Sequence, residues 1–542
     1  MQSSIFQFNS RSAKTLAAIL FCLVGSLFCA ASAVAGEFVD TRLSFVFSDD
    51  NLFAGPGDSL INSPEIDFGA RDGVFYPFEN LNSSDNGDET LSHIVIFKEL
   101  PGFARNLTTD AALVARMSVL SEPETGYAAG DIRLKDAGSF IRARYAFEDV
   151  VKDADTGLTK DAKRQLDFTF FPMNSDRFRA GYTYDLSWGG NKIYTDSKSS
   201  FATPGMRLRF DWDGFYLLAG AKSTRQAIVT KDDEDVRNRE LGAFWGGIFG
   251  LGYVGKMFGI EANGGIFDAG TNPKQGVMGE EIISGGVSAR ISAFSEGFRP
   301  ETSIDYRLYR VNDDAFVESN FYLRKPQNYE KFTWRASLEG NWLTQTLADF
   351  EVLGSTKRIN AFAGALRADF YTGKLAINVD LVYRDLYFIL FNVPGLDPYY
   401  ALPNDSESTP EILFAVKGEY WFESTNLLPS LQFAIQKPAA YRGRISETTN
   451  PTDLVSGVQT VAVMDSSTIV AFPSGNEPKE IYSIKLALRW DLSEMMSLIG
   501  EVTYNYDRNQ LGRKKDDVHY TATYYMRDPN VLGLGVFAQA RF

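Results

Sequence analysis

Segments about ten residues long, apolar at every second position and polar between, recur along the whole of this 542-residue chain. In IYSIKLALRW, Tyr482, Ile484, Leu486, Leu488 and Trp490 share one face, and Ser483, Lys485, Ala487 and Arg489 share the other. DRFRAGYTYDLSW sets Phe178, Ala180, Tyr182, Tyr184, Leu186 and Trp188 against Arg177, Arg179, Gly181, Thr183 and Asp185. MRLRFDW and KLAINVDLVYR repeat the pattern. A period of two belongs to β-strands, whose successive side chains point to opposite faces. A soluble sandwich alternates in the same way, so the repeat by itself gives all-β and no more. After the N-terminal segment no apolar run approaches the roughly 18 residues that a transmembrane helix needs. If the chain spans a membrane it must therefore do so as a β-barrel, the other structure that satisfies every backbone group in lipid.

The spacing of turns separates barrel from sandwich. Short connections are read at 173–176, 211–214, 254–257, 295–299, 371–374, 424–429 and 491–494, with longer polar loops at 189–204, 231–237, 271–280, 392–408 and 443–478 between them. Outer-membrane barrels alternate short periplasmic turns with long external loops in this manner. The expectation is an antiparallel transmembrane β-barrel of 18 strands, within a range of 16–20. Two regions set that range. Residues 299–371 have room for two strands or four, and five candidates precede Met173 where parity at a short turn allows only an even number.

The two ends of the sequence point the same way. In VLGLGVFAQARF, Leu532, Leu534, Val536, Ala538, Ala540 and Phe542 lie on one face. This segment resembles the C-terminal strand of Gram-negative outer-membrane β-barrels, which ends in Phe and is read by the barrel assembly machinery. The resemblance, to the porin-like channel class, implies that Phe542 is an assembly signal. It also implies outer-membrane lipid and lipopolysaccharide as surroundings. Arg11 and Lys14 precede an uncharged run, 15–35, that closes on Ala33-Val34-Ala35, the form of a secretory signal peptide over 1–35. A single barrel domain over 36–542 is expected to follow. Cys22 and Cys29, the only cysteines, fall inside that signal, so the mature chain has no disulfide and no cysteine-ligated metal. Loss of Arg11 and Lys14 takes the formal charge from −15 to −17, which disfavours a nucleic-acid partner.

If the apolar faces meet lipid, the charges on the opposite faces must point inward, since a charge at the bilayer midplane costs about 2–4 kcal/mol. The pore-lining candidates are Arg142, Arg144, Arg177, Arg179, Arg207, Arg209, Arg290, Arg307, Arg335, Arg367, Arg384 and Arg489, with Asp167, Asp185, Asp211, Asp305, Asp369 and Asp380. They can form an eyelet that selects solutes, or a ladder of ion pairs that satisfies the wall. A long segment, 48–90, carries Phe53, Phe68, Phe75, Tyr76, Phe78 and Leu81, too apolar for a solvated loop. It is expected to enter the bore as a constriction or partial plug; the alternative is an external lid or a contact to a neighbouring protomer.

No catalytic site is expected. The chain holds only His93 and His519, the first on a strand and the second in a loop near Asp516 and Asp517. Acidic clusters at Asp49-Asp50, 85–89 and 232–235 lack the spacing of a calcium loop, and no metal or cofactor is assigned. The function expected is passive diffusion of small hydrophilic solutes across the Gram-negative outer membrane. The alternatives are a channel dedicated to fatty acids, sugars or polysaccharide, and a structural or adhesin barrel. A homo-oligomer is compatible with the sequence.

Overall fold

The structure is a computed structural model and describes residues 37–49, 89–101, 104–118, 133–136, 138–152, 159–175, 202–229, 239–272, 276–296, 328–390, 401–404, 406–443, 459–463, 469–472, 476–493, 496–516 and 521–541. Its strands, in chain order, are β1 (Glu37–Asp49), β2 (Glu89–Pro101), β3 (Leu107–Ser118), β4 (Arg133–Asp136), β5 (Phe140–Ala146), β6 (Arg164–Phe171), β7 (Gly205–Trp212) and β8 (Phe215–Val229). These are followed by β9 (Arg239–Val254), β10 (Phe258–Thr271), β11 (Glu281–Phe294), β12 (Tyr329–Ala348), β13 (Thr356–Gly373) and β14 (Leu375–Arg384). A short helix α1 (Leu386–Leu390) precedes β15 (Glu407–Thr409), β16 (Glu411–Tyr420), β17 (Leu427–Lys437), β18 (Ala439–Gly443), β19 (Gln459–Val463) and β20 (Ile469–Phe472). The chain finishes with β21 (Ile481–Asp491), β22 (Met496–Tyr506), β23 (Leu511–Asp516), β24 (Thr521–Met526) and β25 (Asn530–Arg541). No helix among the described residues is long and apolar enough to cross a membrane.

One 19-stranded antiparallel sheet makes the wall. β4 and β5 both pair with β3, as two halves of one stave, so the ring has 18 staves, the number expected from the sequence. β25 pairs with β22 on one side and with β1 on the other, from Arg42 opposite Arg541 to Asp49 opposite Leu534. The first and last strands of the wall are thus each paired on both sides, so neither is left as an edge. The remaining strands form a four-stranded sheet, β15-β18-β19-β20, and a β23–β24 hairpin, both within connections at one end of the ring.

The alternation read in the sequence decides which face meets lipid. On β21, Tyr482, Ile484, Leu486, Leu488 and Trp490 are 39–55% exposed, whereas Ser483, Lys485 and Ala487 are 0–4% exposed. A soluble sandwich would invert this assignment. The exposed apolar faces are ringed near the short-turn end by aromatic pairs, such as Phe215 and Tyr253 at 4.5 Å and Phe210 and Trp212 at 5.8 Å. Rings of this kind sit at membrane–water interfaces.

Two turn assignments need correction. Five staves precede residue 173, so the connection from β6 to β7 lies at the loop end of the ring, and 173–176 is not a short-end turn. Parity rejected a strand when the misplaced object was the turn. The β11–β12 connection does lie at the short-turn end, but it runs from 295 to 328 and is no tight turn. The other short connections hold. Between β7 and β8 only Asp213 and Gly214 intervene, both at positive φ (48° and 96°), the two-residue geometry that follows strand twist. The stretch 299–371 supplies two staves, β12 and β13, joined at the loop end through 349–355.

Candidate pore lining

Along the wall strands, described residues at every second position converge on the interior. Of the candidate charges, Arg142, Arg144, Arg207, Arg209, Arg290, Arg335, Arg367, Arg384, Arg489, Asp167, Asp211, Asp369 and Asp380 are described, and each lies on the interior face in an ion pair. Arg177, Arg179, Asp185, Asp305 and Arg307 lie outside the described residues, as do Phe542, His519, residues 1–35 and nearly all of 48–90. His93 sits in β2, opposite Arg42 of β1 and Arg116 of β3.

The densest group spans β2 to β7. Arg142 Nη2 meets Asp110 Oδ2 at 2.9 Å, Arg144 Nη2 meets the same oxygen at 2.9 Å, and Arg207 Nη2 meets Asp167 Oδ1 at 2.9 Å. Arg142 Nη1 lies 3.6 Å from Asp167 Oδ2, which joins the two halves. Strand register produces this: Asp110 stands opposite Arg142, Arg144 opposite Asp167, and Asp167 opposite Arg209. Arg209 turns to Asp211 at 2.7 Å and stacks over the Tyr216 ring at 4.2 Å, while the Tyr216 hydroxyl donates to Glu261 at 2.9 Å. Glu261 pairs with Arg290 at 3.0 Å. Gly252 makes room for this chain, since a Cβ there would meet the Tyr216 ring at 2.5 Å.

The belt continues on β12 to β14, where Asp369 receives Arg335 and Arg367, and again at Lys417–Glu419, Lys485–Glu501 and Arg489–Asp491. Sequence reasoning counted Arg and Asp and missed the glutamates and lysines. The same parity would have found Glu261 in FGIEANGGIF and Lys417 and Glu419 in EILFAVKGEY. Asp110 was legible as well, at the second position of the inward series Thr108, Asp110, Ala112 and Val114.

Above this belt, toward the loop end, the interior changes character. On β13, Ala361, Ala363 and Ala365 precede Arg367 and Asp369, and on β16, Leu413 and Ala415 precede Lys417 and Glu419. With Phe244, Phe267, Leu343, Val382 and Ala434 they form part of one buried apolar cluster. The small side chains leave space for α1, whose Phe388, 1% exposed, packs into the same cluster. Arg384 pairs with Glu411 here at 2.8 Å, and the Gln436 amide donates to Glu411 at 3.2 Å. The interior is thus two-tiered, a charged belt toward the short turns and an apolar collar toward the loops. The sequence reading anticipated only the first.

No protein-family model matches this chain, and no curated protein matches it. Among solved structures, the chain is similar to OpdL of Pseudomonas aeruginosa, with 8% identity, a TM-score of 0.42, and 94% of this chain and 99% of that one covered. It is similar also to OccAB2 of Acinetobacter baumannii, with the same identity, coverage and TM-score. OccAB3 of Acinetobacter baumannii aligns at 10% identity and a TM-score of 0.42, over 94% of this chain and all of the other.

Proposed function

We propose that this protein is an outer-membrane channel through which small hydrophilic solutes diffuse passively along a charged lumen. One observation carries the reading: the ring of 18 staves is closed, apolar outward and ionic inward. Barrels of 16–18 strands leave an aqueous passage unless something fills it. The short turns face the periplasm and the loop end faces outward. The test is single-channel conductance of the purified barrel in planar bilayers, with reversal potentials under a salt gradient. Discrete ohmic steps are expected; a folded barrel that never conducts would leave a structural or adhesin role.

The segment 48–90 is the constriction of this channel. It leaves and rejoins the wall at the loop end, where β1 ends at Asp49 and β2 begins at Glu89. The apolar collar at that end is a surface of the kind its six apolar residues, which lie outside the described residues, require. Deleting residues 50–88 and joining the ends with a Gly/Ser turn is expected to raise conductance and weaken cation preference, because the segment's acids outnumber its single Arg71. Unchanged conductance and unchanged reversal potential together would place it outside the pore. The collar also favours a second reading, a channel dedicated to solutes with an apolar body, because a general diffusion pore has no use for an apolar tier. Current block by solutes of graded alkyl length separates the two readings.

A further inference from the structure

At the short-turn end, residues 159–161 of the connection between β5 and β6 turn in against the belt. Thr159 is 6% exposed; its N–H donates to Glu99 Oε2 at 2.9 Å and its hydroxyl to Oε1 at 2.7 Å. Arg144 Nη1 donates to the Thr159 carbonyl at 3.2 Å and to Asp161 Oδ1 at 2.8 Å. Asp161 also lies 3.7 Å from Arg142 Nη2. The connection thus completes the densest part of the belt.

Asp161 differs from its neighbours in two respects. It belongs to no wall strand, and its side chain is 30% exposed, against 7% for Glu99, 1% for Asp110, 3% for Arg142, 5% for Arg144 and 0% for Asp167. Within this cluster it is therefore the carboxylate that water and ions reach, and its departure disturbs no strand pairing. Asp110 and Glu99 are held on the ladder whatever the connection does.

Resting on the channel function proposed above, we infer that residues 159–161 are a latch over the short-turn mouth. Asp161 occupies an oxyanion site at Arg144 that the anionic group of a solute takes from it. A tethered carboxylate acts at an effective concentration in the millimolar range or above, so a free anion displaces it only at comparable concentrations. Displacement frees the connection at one point and seats the solute's charge on a guanidinium already positioned for it, with its planar fork matched to an oxyanion.

Planar-bilayer recordings with inorganic phosphate, exchanged against chloride at constant ionic strength, test this. In Asp161→Asn the competitor's charge is gone, and the half-blocking phosphate concentration is expected to fall about ten-fold below that of the unsubstituted protein. Equal half-blocking concentrations overturn the latch. A folded unsubstituted barrel that never conducts defeats the channel reading instead, so the two failures are distinct. The unsubstituted protein supplies a second measurement that needs no variant to fold. Lys152 and Lys160 are exposed on this connection. Phosphate is expected to speed tryptic cleavage there several-fold over chloride in the detergent-solubilised barrel; cleavage indifferent to phosphate overturns the latch.

Discussion

Single residues in the belt differ in what they support according to burial. Asp167 is fully buried between Arg142 and Arg207 and accepts the Thr169 hydroxyl at 2.8 Å. Asp167→Asn leaves two guanidinium groups facing a neutral amide, a loss on the order of 3–5 kcal/mol for a broken buried pair. Asp211→Asn removes a partly exposed partner and is expected to cost about 1 kcal/mol or less. Urea unfolding of the barrel in lipid vesicles reads both, and equal midpoint shifts would refute the distinction. A titrating residue outside the strands is Asp507, whose burial pushes its carboxyl above the ordinary 3.8 although Asn509 bonds to it. A folded value raised above the unfolded one gives stability that is full below pH 3.8 and lost as pH rises through the folded value. The contact between Asn509 and Lys479, which Asp507 braces, is expected to exchange its amide protons more slowly at pH 4 than at pH 7 after correction for intrinsic rates. Asp507→Asn should abolish that difference; retention of the difference would assign it to another group.

At the scale of elements, the wall closes through β25, and α1 is placed by the side chains beneath it. β25 has a partner on both sides, so a weakened β25 leaves two strand edges open in lipid. Deleting Phe542 is expected to slow insertion and leave periplasmic aggregates, read by cell fractionation and the heat-modifiable mobility of the folded barrel. Normal insertion would remove the role assigned to that residue. α1 has five residues and no helical stability of its own, so its position depends on burial of Phe388 against the alanine face of β13 and the adjoining staves. Phe388→Ala is expected to loosen the helix and add current fluctuations in bilayer recordings while the wall unfolds at the same urea concentration. A quiet, unaltered trace would show that α1 does not reach the conducting path.

The whole molecule makes a statement about sidedness that single elements do not. Val352 is exposed at the loop end and Asp213 lies at a short turn, while Met173 is exposed at the loop end because five staves precede it. Single cysteines at Val352 and Met173 are expected to react with an impermeant maleimide on intact cells, and one at Asp213 is not. Labelling at Asp213 but not Val352 inverts the orientation. Labelling at Val352 alone would return residue 173 to the short-turn end and change the count of staves before it.

Strand class and the face each wall residue presents were legible in the sequence, which bounded the number of staves at 16–20 without fixing where each one lay. Facing is a local property, because a strand's period of two needs no knowledge of its neighbours. Arg207 and Leu208 could be sent to opposite sides of the wall from MRLRFDW alone, and they are 0% and 47% exposed. Only the tertiary structure decided which charges pair. Asp110 and Arg142 are 32 positions apart, and their meeting depends on the register of β3 on β5, which accumulates from the closure of the whole ring. The same dependence explains the turn at 173–176: turn chemistry is local, but the end of the barrel at which a turn lies is the parity of every strand before it. The seat of α1 and the inward fold of Thr159 and Asp161 were out of reach for a further reason. Each rests on space left by small or paired side chains of distant strands, and no alternation within a single segment records such space.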